Sequence, residues 1–501
     1  MPPRAATLRP AVEPWCELEL AVPPAAGRAL LRRLAGGRPR RTRVRVAWHD
    51  SFEGTLAEEG LALEERQDGR VRCWRLVRIR PAEGGSWLPS QPAPTLAEAP
   101  RPEELGRPLP SPIAARAWLE GARLLAEAGA VRVALLDARL RDADGERARA
   151  WLTLSGPADA VTALADELAG AAPVRVPCAV PAAEALAGTA GPRPRGAGAP
   201  VLPVALGVGT AFAEVVGQLT ASLLAEAPAI PAAMGVDSEP VHRMRVALRR
   251  LRAVMSLFGH AVACPALAEA RLALKALAAA LGPARDWDVF LAGTGRQVGA
   301  AFGGEPAVAR LLAAAGRQRH AAYAALGAEL ENAEFRRLGV ALACLAAARP
   351  WERTAPTDPD AAARRDRLLA QPLEAFAART LRRRARHLRE IGPDLSGLPD
   401  AALHAIRLQA KRLRYACEVF APLYPGRRAR RMIRRLAALQ DRLGLLNDAS
   451  VAAGLMASLG AAGHGHAAGI VRGYVAGAAA GARTDAQRAW RRLHRLEPFW
   501  E

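Results

Sequence analysis

A chain of 501 residues can bury more than one hydrophobic core, so two or three domains are expected. Lys and Arg outnumber Asp and Glu by 70 to 49, and the formal charge of +21 favours anionic partners: nucleic acid, acidic membrane or polyphosphate. Six scattered cysteines without a C-x-x-C pair read as reduced small hydrophobes, against a disulfide framework or a zinc site. The first residues carry no apolar signal core, and the apolar windows near 201–219 and 467–482 are broken by Pro203 and Glu214, and by Arg472. No membrane span is expected, and a cytoplasmic location is.

Residues 1–14 are Pro-rich. Polar and apolar residues then alternate from Trp15 to Val22, the period of a half-buried strand. Residues 27–34 predict a short helix. Alternation returns at Thr42–Trp48, Leu61–Arg66 and Val71–Arg80, with Gln67-Asp68-Gly69 as a hairpin turn. After a Pro-rich gap, the Ala/Leu-rich segment Ile113–Ala126 predicts a helix. Strands follow at Val131–Arg139 and Arg149–Leu154 about Asp144-Gly145, then a helix over roughly 157–170. Residues 1–189 therefore read as an α+β domain with a mainly antiparallel sheet. Residues 190–200 have the composition of a linker.

From 201 to 501 the chain predicts an all-α domain, with Ala/Leu/Arg segments of helical period between Pro and Gly breaks. Charge concentrates there: 28 basic and 24 acidic side chains in residues 1–198 leave +4, while 42 and 25 in the remainder leave +17. Lysine occurs only at Lys275 and Lys411.

One stretch organises this half. From Ser238 to Phe258, Met244, Ala247, Leu248, Leu251, Val254, Met255 and Phe258 share an arc of roughly 120° on a helix. His242, Arg245, Arg249 and Arg252 share a separate arc of about 80°. Ser238 is placed to cap the start, and Pro240 stands just inside it. The pattern recurs 162 residues later as His404, Arg407, Lys411 and Arg414, with Asp400, Arg412, Leu413 and Phe420 answering Ser238, Arg250, Leu251 and Phe258. Leu281-Gly282 and Asp286 are answered by Leu443-Gly444 and Asp448 at the same spacing. A duplicated helical unit explains so many coincidences at one offset, with repeats at about 205–345 and 360–500.

Like charges one turn apart destabilise a lone helix, and a bound polyanion converts that cost into attraction. Guanidinium forks match phosphate oxygens. Asp286 and Asp288, with Asn447 and Asp448, are placed to orient guanidiniums by salt bridges. Runs at Arg382-Arg383-Arg384 and from Arg427 to Arg435 widen the basic surface, each by itself reading as solvated periphery.

The sequence from His242 to Arg252, with Leu281 to Asp286, resembles the CHAD (conserved histidine α-helical) domain. His404 to Tyr415, with Leu439 to Gly444 and Asn447-Asp448, is similar to that family's second half. The resemblance covers roughly 205–500. It implies two four-helix bundles related by a pseudo-twofold axis, a basic groove that binds inorganic polyphosphate, and recruitment to polyphosphate granules. The carried-over residues are His242, Arg245, Arg249, Arg252, His404, Arg407, Lys411 and Arg414, followed by Arg250, Arg412, Lys275 and Arg285.

Ahead of it, Glu17-Leu18-Glu19-Leu20-Ala21 resembles the E-x-E-x-K strand of CYTH triphosphate tunnel enzymes, and Trp48-His49-Asp50-Ser51 resembles a second segment of that family. In active members, strand carboxylates hold a divalent metal and strand Lys/Arg hold triphosphate. Here Ala21 replaces the Lys, and Glu64-Glu65-Arg66 stands near an expected Arg-x-Arg pair. A degenerate CYTH-like sheet, an incomplete barrel, is expected. If it is active, Glu17 and Glu19 hold Mg or Mn, and Arg66, Arg75, Arg78 and Arg80 hold phosphate.

Three functions remain open. The first is a non-catalytic polyphosphate binder that needs no cofactor. The second is a metal-dependent triphosphatase with the helical domain as substrate trap. The third is a nucleic-acid binder, for which 5% aromatic residues and the lack of a stacking platform give little support.

Overall fold

In the N-terminal part, the period-two segments pair edge to edge. The structure, a computed structural model, describes residues 15–79, 98–99, 101–186, 202, 206–232, 236–354, 358–395 and 397–501. Arg80 therefore lies outside the described residues. The chain divides into two units: the described residues up to 186 together with 336–349, and the remaining described residues from 202 onward.

In the first unit seven strands form one antiparallel sheet among the described residues. They are β1 (Trp15–Val22), β2 (Arg40–Asp50), β3 (Leu61–Asp68), β4 (Val71–Arg78), β5 (Ala114–Ala128), β6 (Val131–Asp142) and β7 (Gly145–Pro157), in the order β1-β7-β6-β5-β2-β3-β4. Helices α1 (Pro24–Leu34), α2 (Thr55–Glu58), α3 (Pro102–Leu105), α4 (Ala158–Ala171) and α5 (Pro181–Ala185) accompany it. Leu18, Leu20, Val133, Leu135, Leu152 and Leu154 are wholly buried on the face that α1 and α4 cover. The other face clusters Val46, Trp48, Leu119, Leu140 and Trp151.

Residues 113–126 are not a helix. They form β5, the sheet's central strand, paired to β2 on one side and β6 on the other. Their Ala, Leu, Arg and Glu content favours a helix locally, but the two ladders override propensity. Ala117 and Leu119 are buried while Trp118 and Glu120 are exposed, a short run of period two. At Gly121 a Cβ would meet Ala138 Cα of β6 at 2.5 Å, so close strand approach requires glycine there.

The second unit is helical: α6 (Val208–Glu226), α7 (Ala229–Ala232), α8 (Glu239–Phe258), α9 (Pro265–Phe290), α10 (Arg296–Phe302), α11 (Pro306–Glu331), then α13 (Pro359–Ala370), α14 (Leu373–Arg389), α15 (Asp400–Phe420), α16 (Arg427–Ser458), α17 (His466–Ala479) and α18 (Ala482–His494). Between them α12 (Ala333–Ala348) lies largely in the first unit. There Arg336 Nε donates to the Ala169 carbonyl at 3.0 Å and Arg337 pairs with Asp166 at 3.5 Å. Sequence pattern alone assigns this helix to the first repeat.

The duplication is visible in the helix boundaries. Shifting α8 by 162 residues reproduces α15 except for its first residue, and the same shift takes the start of α9 to the start of α16. Helices α6, α8, α9 and α11 pack in succession, as do α14, α15, α16 and α18. Helix α8 also packs on α15. All seven residues of the α8 apolar stripe are buried, none more than 3% exposed. At its end Phe258 meets its counterpart Phe420 at 5.8 Å and Phe376 at 5.0 Å, with Phe212 at 5.6 Å. Each such ring contributes about 3–5 kcal/mol against truncation to Ala, enough to fix how the two repeated helices cross.

Two local expectations change. Ser238 makes no side-chain cap bond; Asp237 Oδ1 accepts instead from the Glu239 N–H at 2.8 Å. Asp400 is the first residue of α15 rather than its cap. Among the described residues one helix, Val208–Pro231, is long and apolar enough to cross a membrane, and 67% of its apolar window is buried within the protein.

Candidate functional site

The contact of α8 with α15 leaves their polar faces flanking an open groove of about 800 Å³. From the first repeat come Arg245, Arg249 and Arg252 of α8, with Arg271 and Lys275 of α9. From the second come Lys411 and Arg412 of α15, with Arg384 of α14. None of the described residues lining it is acidic. The chain has only two lysines, Lys275 and Lys411, and both line this groove.

Its charges are poorly compensated. The Nε atoms of the lining residues Arg249 and Arg384 are buried without a hydrogen-bond partner among the described residues, a costly state unless a ligand or water supplies an acceptor. Arg384 reaches Ser256 Oγ at 3.3 Å through its other nitrogen. Tyr415 forms part of the floor, with Arg249, Arg414 and Lys411 over its ring at 5.2, 5.1 and 6.0 Å. Burial first, then Arg249, Arg407, Arg245 and Arg252, pushes the Lys411 ammonium down to about 8. Burial also lowers the guanidinium pKa of Arg245 and Arg384. Several like charges thus share a partly desolvated space.

Other expected residues occupy different places. His242 lies at one end of the stripe, where burial and then Arg285 lower its pKa below the ordinary 6.5. Arg285 and Arg245 both act on Asp286, whose carboxyl burial nevertheless pushes up. Arg407 borders Lys411 and lies 3.9 Å from the position a side chain on Gly444 would take. His404 is exposed. Arg250 and Arg414 face Glu418, at 3.9 and 3.1 Å. Asp288 does not orient the stripe: it is buried against Arg319 at 2.6 Å and Tyr323 Oη at 2.9 Å. The side chains of Asn447 and Asp448 lie outside the described residues.

The sequence did not mark Arg271, and it read Arg384 by itself as solvated periphery, yet both line the groove. A signal existed for Arg384, because Ala377, Thr380, Leu381 and Leu388 are buried on α14 and helical spacing puts Arg384 in that row. Nothing comparable marks Arg271, whose role depends on where α9 faces.

The family model described as the CHAD domain matches residues 214–457. Those residues are a CHAD domain. Among solved structures, the CHAD domain from the plant Ricinus communis is similar at 27% identity, covering 61% of this chain and 96% of that one with a TM-score of 0.47. PptA from Streptomyces chartreusis is similar at 20% identity, covering 57% and 99% with a TM-score of 0.40. No curated protein matches the chain.

The sheet ahead of the CHAD domain is consistent with a CYTH-like domain, but its polar groups neutralise one another. Glu64, 4% exposed, accepts from Trp48 Nε1 at 3.0 Å and from Arg75 Nε at 2.7 Å. Arg66 pairs with Asp68 at 3.0 Å, and Arg123 joins it at 3.1 Å. Arg78 is exposed. Glu19 is pushed up to about 7 by burial and then by Glu17, with Arg66 of β3 opposing. A carboxyl on β1 feels an arginine on β3, far along the strand order, because the sheet curls. Among the described residues no group of three or more His, Cys, Asp or Glu side chains is placed to hold a metal ion. Glu17 and Glu19 supply two carboxylates to such a group and no third.

Two outcomes follow from these charges. Glu64→Ala strands the Arg75 and Trp48 donors and lowers stability by about 3 kcal/mol in urea unfolding, whereas a loss under about 0.5 kcal/mol contradicts the network. For Lys411, the folded pKa of about 8 lies below the ordinary 10.5. Its charge therefore opposes folding fully below about pH 8, and that penalty fades between about 8 and 10.5. Unfolding at a series of pH values should show ligand-free protein gaining stability across this window relative to Lys411→Met.

Proposed function

We propose that the CHAD domain binds inorganic polyphosphate in the groove between α8 and α15. The observation that carries this reading is the convergence of eight cationic side chains from both repeats, with no carboxylate among the described lining residues. A linear polyphosphate presents charge on every unit, so successive units engage successive guanidiniums and release counterions from a flexible polymer. Nothing in such binding needs a nucleophile, a general base or a metal. Affinity grows with chain length, because it depends on the number of units in the groove rather than on chain ends. Recruitment to polyphosphate granules in the cytoplasm is the cellular expectation of this reading.

The groove offers little to a nucleobase. Its aromatic residue, Tyr415, already carries three cations over its ring, so it is a poor stacking platform. Competition at equal salt separates the readings: long-chain polyphosphate should displace RNA or DNA, and the reverse order favours a nucleic-acid binder. The triphosphatase reading loses support from the self-paired arginines of the sheet, and phosphate release from triphosphate with Mg²⁺ or Mn²⁺ is its direct assay.

Reversing Arg249 and Lys411 together to Glu removes one cation from each repeat and introduces repulsion. At about 1.5–3 kcal/mol per charge-assisted contact, polyphosphate affinity should fall by about 100-fold or more. The helical circular dichroism should be unchanged. Wild-type affinity in the folded double variant contradicts the proposal.

A further inference from the structure

The duplication supplies two basic stripes, yet the groove uses them unequally. Arg252 and Arg412 line it. Their counterparts at the 162-residue offset, Arg414 and Arg250, both face Glu418 instead. Arg414 Nη1 donates to Glu418 at 3.1 Å and Arg414 Nε donates to Gln440 Oε1 at 3.0 Å, so two of its three nitrogens are engaged. The Glu418 side chain is only 15% exposed. Its own counterpart is Ser256, an exposed lining residue that accepts from Arg384. The copies thus differ at this position: Ser256 lines the groove, whereas Glu418 gathers Arg414 of its own copy and Arg250 of the other into an internal charge cluster.

We propose that Glu418 is a specificity-determining residue that confines the anion groove to one face of the paired stripes. A carboxylate at this point neutralises part of the local charge and repels a polyanion that would otherwise continue across α15. It therefore limits how many phosphate units one protein engages. The inference rests on the groove binding polyphosphate.

The test uses the full chain and long-chain polyphosphate, with dissociation constants measured over a range of salt. Arg252→Ala should weaken binding about 10-fold, the value of one charge-assisted contact, and make the salt dependence shallower. Arg414→Ala, at the matching position, should stay within about twofold of wild type. Glu418→Gln should bind several-fold tighter, with a slope of log Kd on log salt steeper by about 1 to 2, as two added contacts with a flexible polyanion require. Glu390→Gln removes an exposed carboxylate just past the end of α14 that pairs with Arg386, and its slope should match wild type. The proposal is overturned if Arg414→Ala costs as much as Arg252→Ala, if Glu418→Gln keeps the wild-type slope, or if Glu390→Gln gives an equal gain. Arg252 and Arg414 decide the question even where Glu418→Gln does not fold. Failure of wild type itself to bind counts against polyphosphate binding, not against the role of Glu418.

Discussion

Positive charge without a counter-charge is the constraint on which the helical unit depends. Neighbouring guanidiniums repel, and burial raises the cost because the low-dielectric surroundings screen them less. The protein bears this because the opposite face of the same helix is bolted down: Met244, Leu248, Leu251, Met255 and Phe258 are fully or almost fully buried, and Phe258 stacks against Phe420 of the repeated helix. Hydrophobic contact on one side of α8 and α15 thus holds charge together on the other. The groove is a consequence of that division of labour between helix faces.

The same chain shows how charge is handled away from the groove. Arg243, two residues before the groove-lining Arg245, makes two hydrogen bonds to Glu226, at 2.8 and 2.9 Å. Arg319 lies against Asp288, and in the sheet Arg66 and Arg75 lie against Asp68 and Glu64. These four arginines have carboxylate partners. That contrast makes Arg249 and Arg252 stand out more than their number does in an arginine-rich composition.

Much of this was legible in the sequence. The helical period of α8 identified its core face residue by residue, and the 162-residue offset located the second copy. Two things were not legible. Which stripe members reach the groove depends on contacts between helices: Arg250 meets Glu418 only because α8 crosses α15, and no spacing within α8 reveals that. Arg271 and Arg384 enter for the same reason in reverse. In the sheet, β5 was hidden because alanine, leucine and glutamate favour a helix, while its strand conformation comes from two neighbours distant in sequence. The placement of α12 with the sheet rather than with the repeat is likewise a matter of tertiary contact.

The most direct measurement is the length and salt dependence of binding by the purified protein, using polyphosphates of defined length. The account predicts that long chains bind far more tightly than triphosphate. It also predicts that log Kd varies with log salt with a magnitude of about 5.6, the value for eight contacts at about 0.7 each on a flexible polyanion. Equal affinity for triphosphate and long chains, or a slope near zero, would contradict a groove built from converging, uncompensated cations.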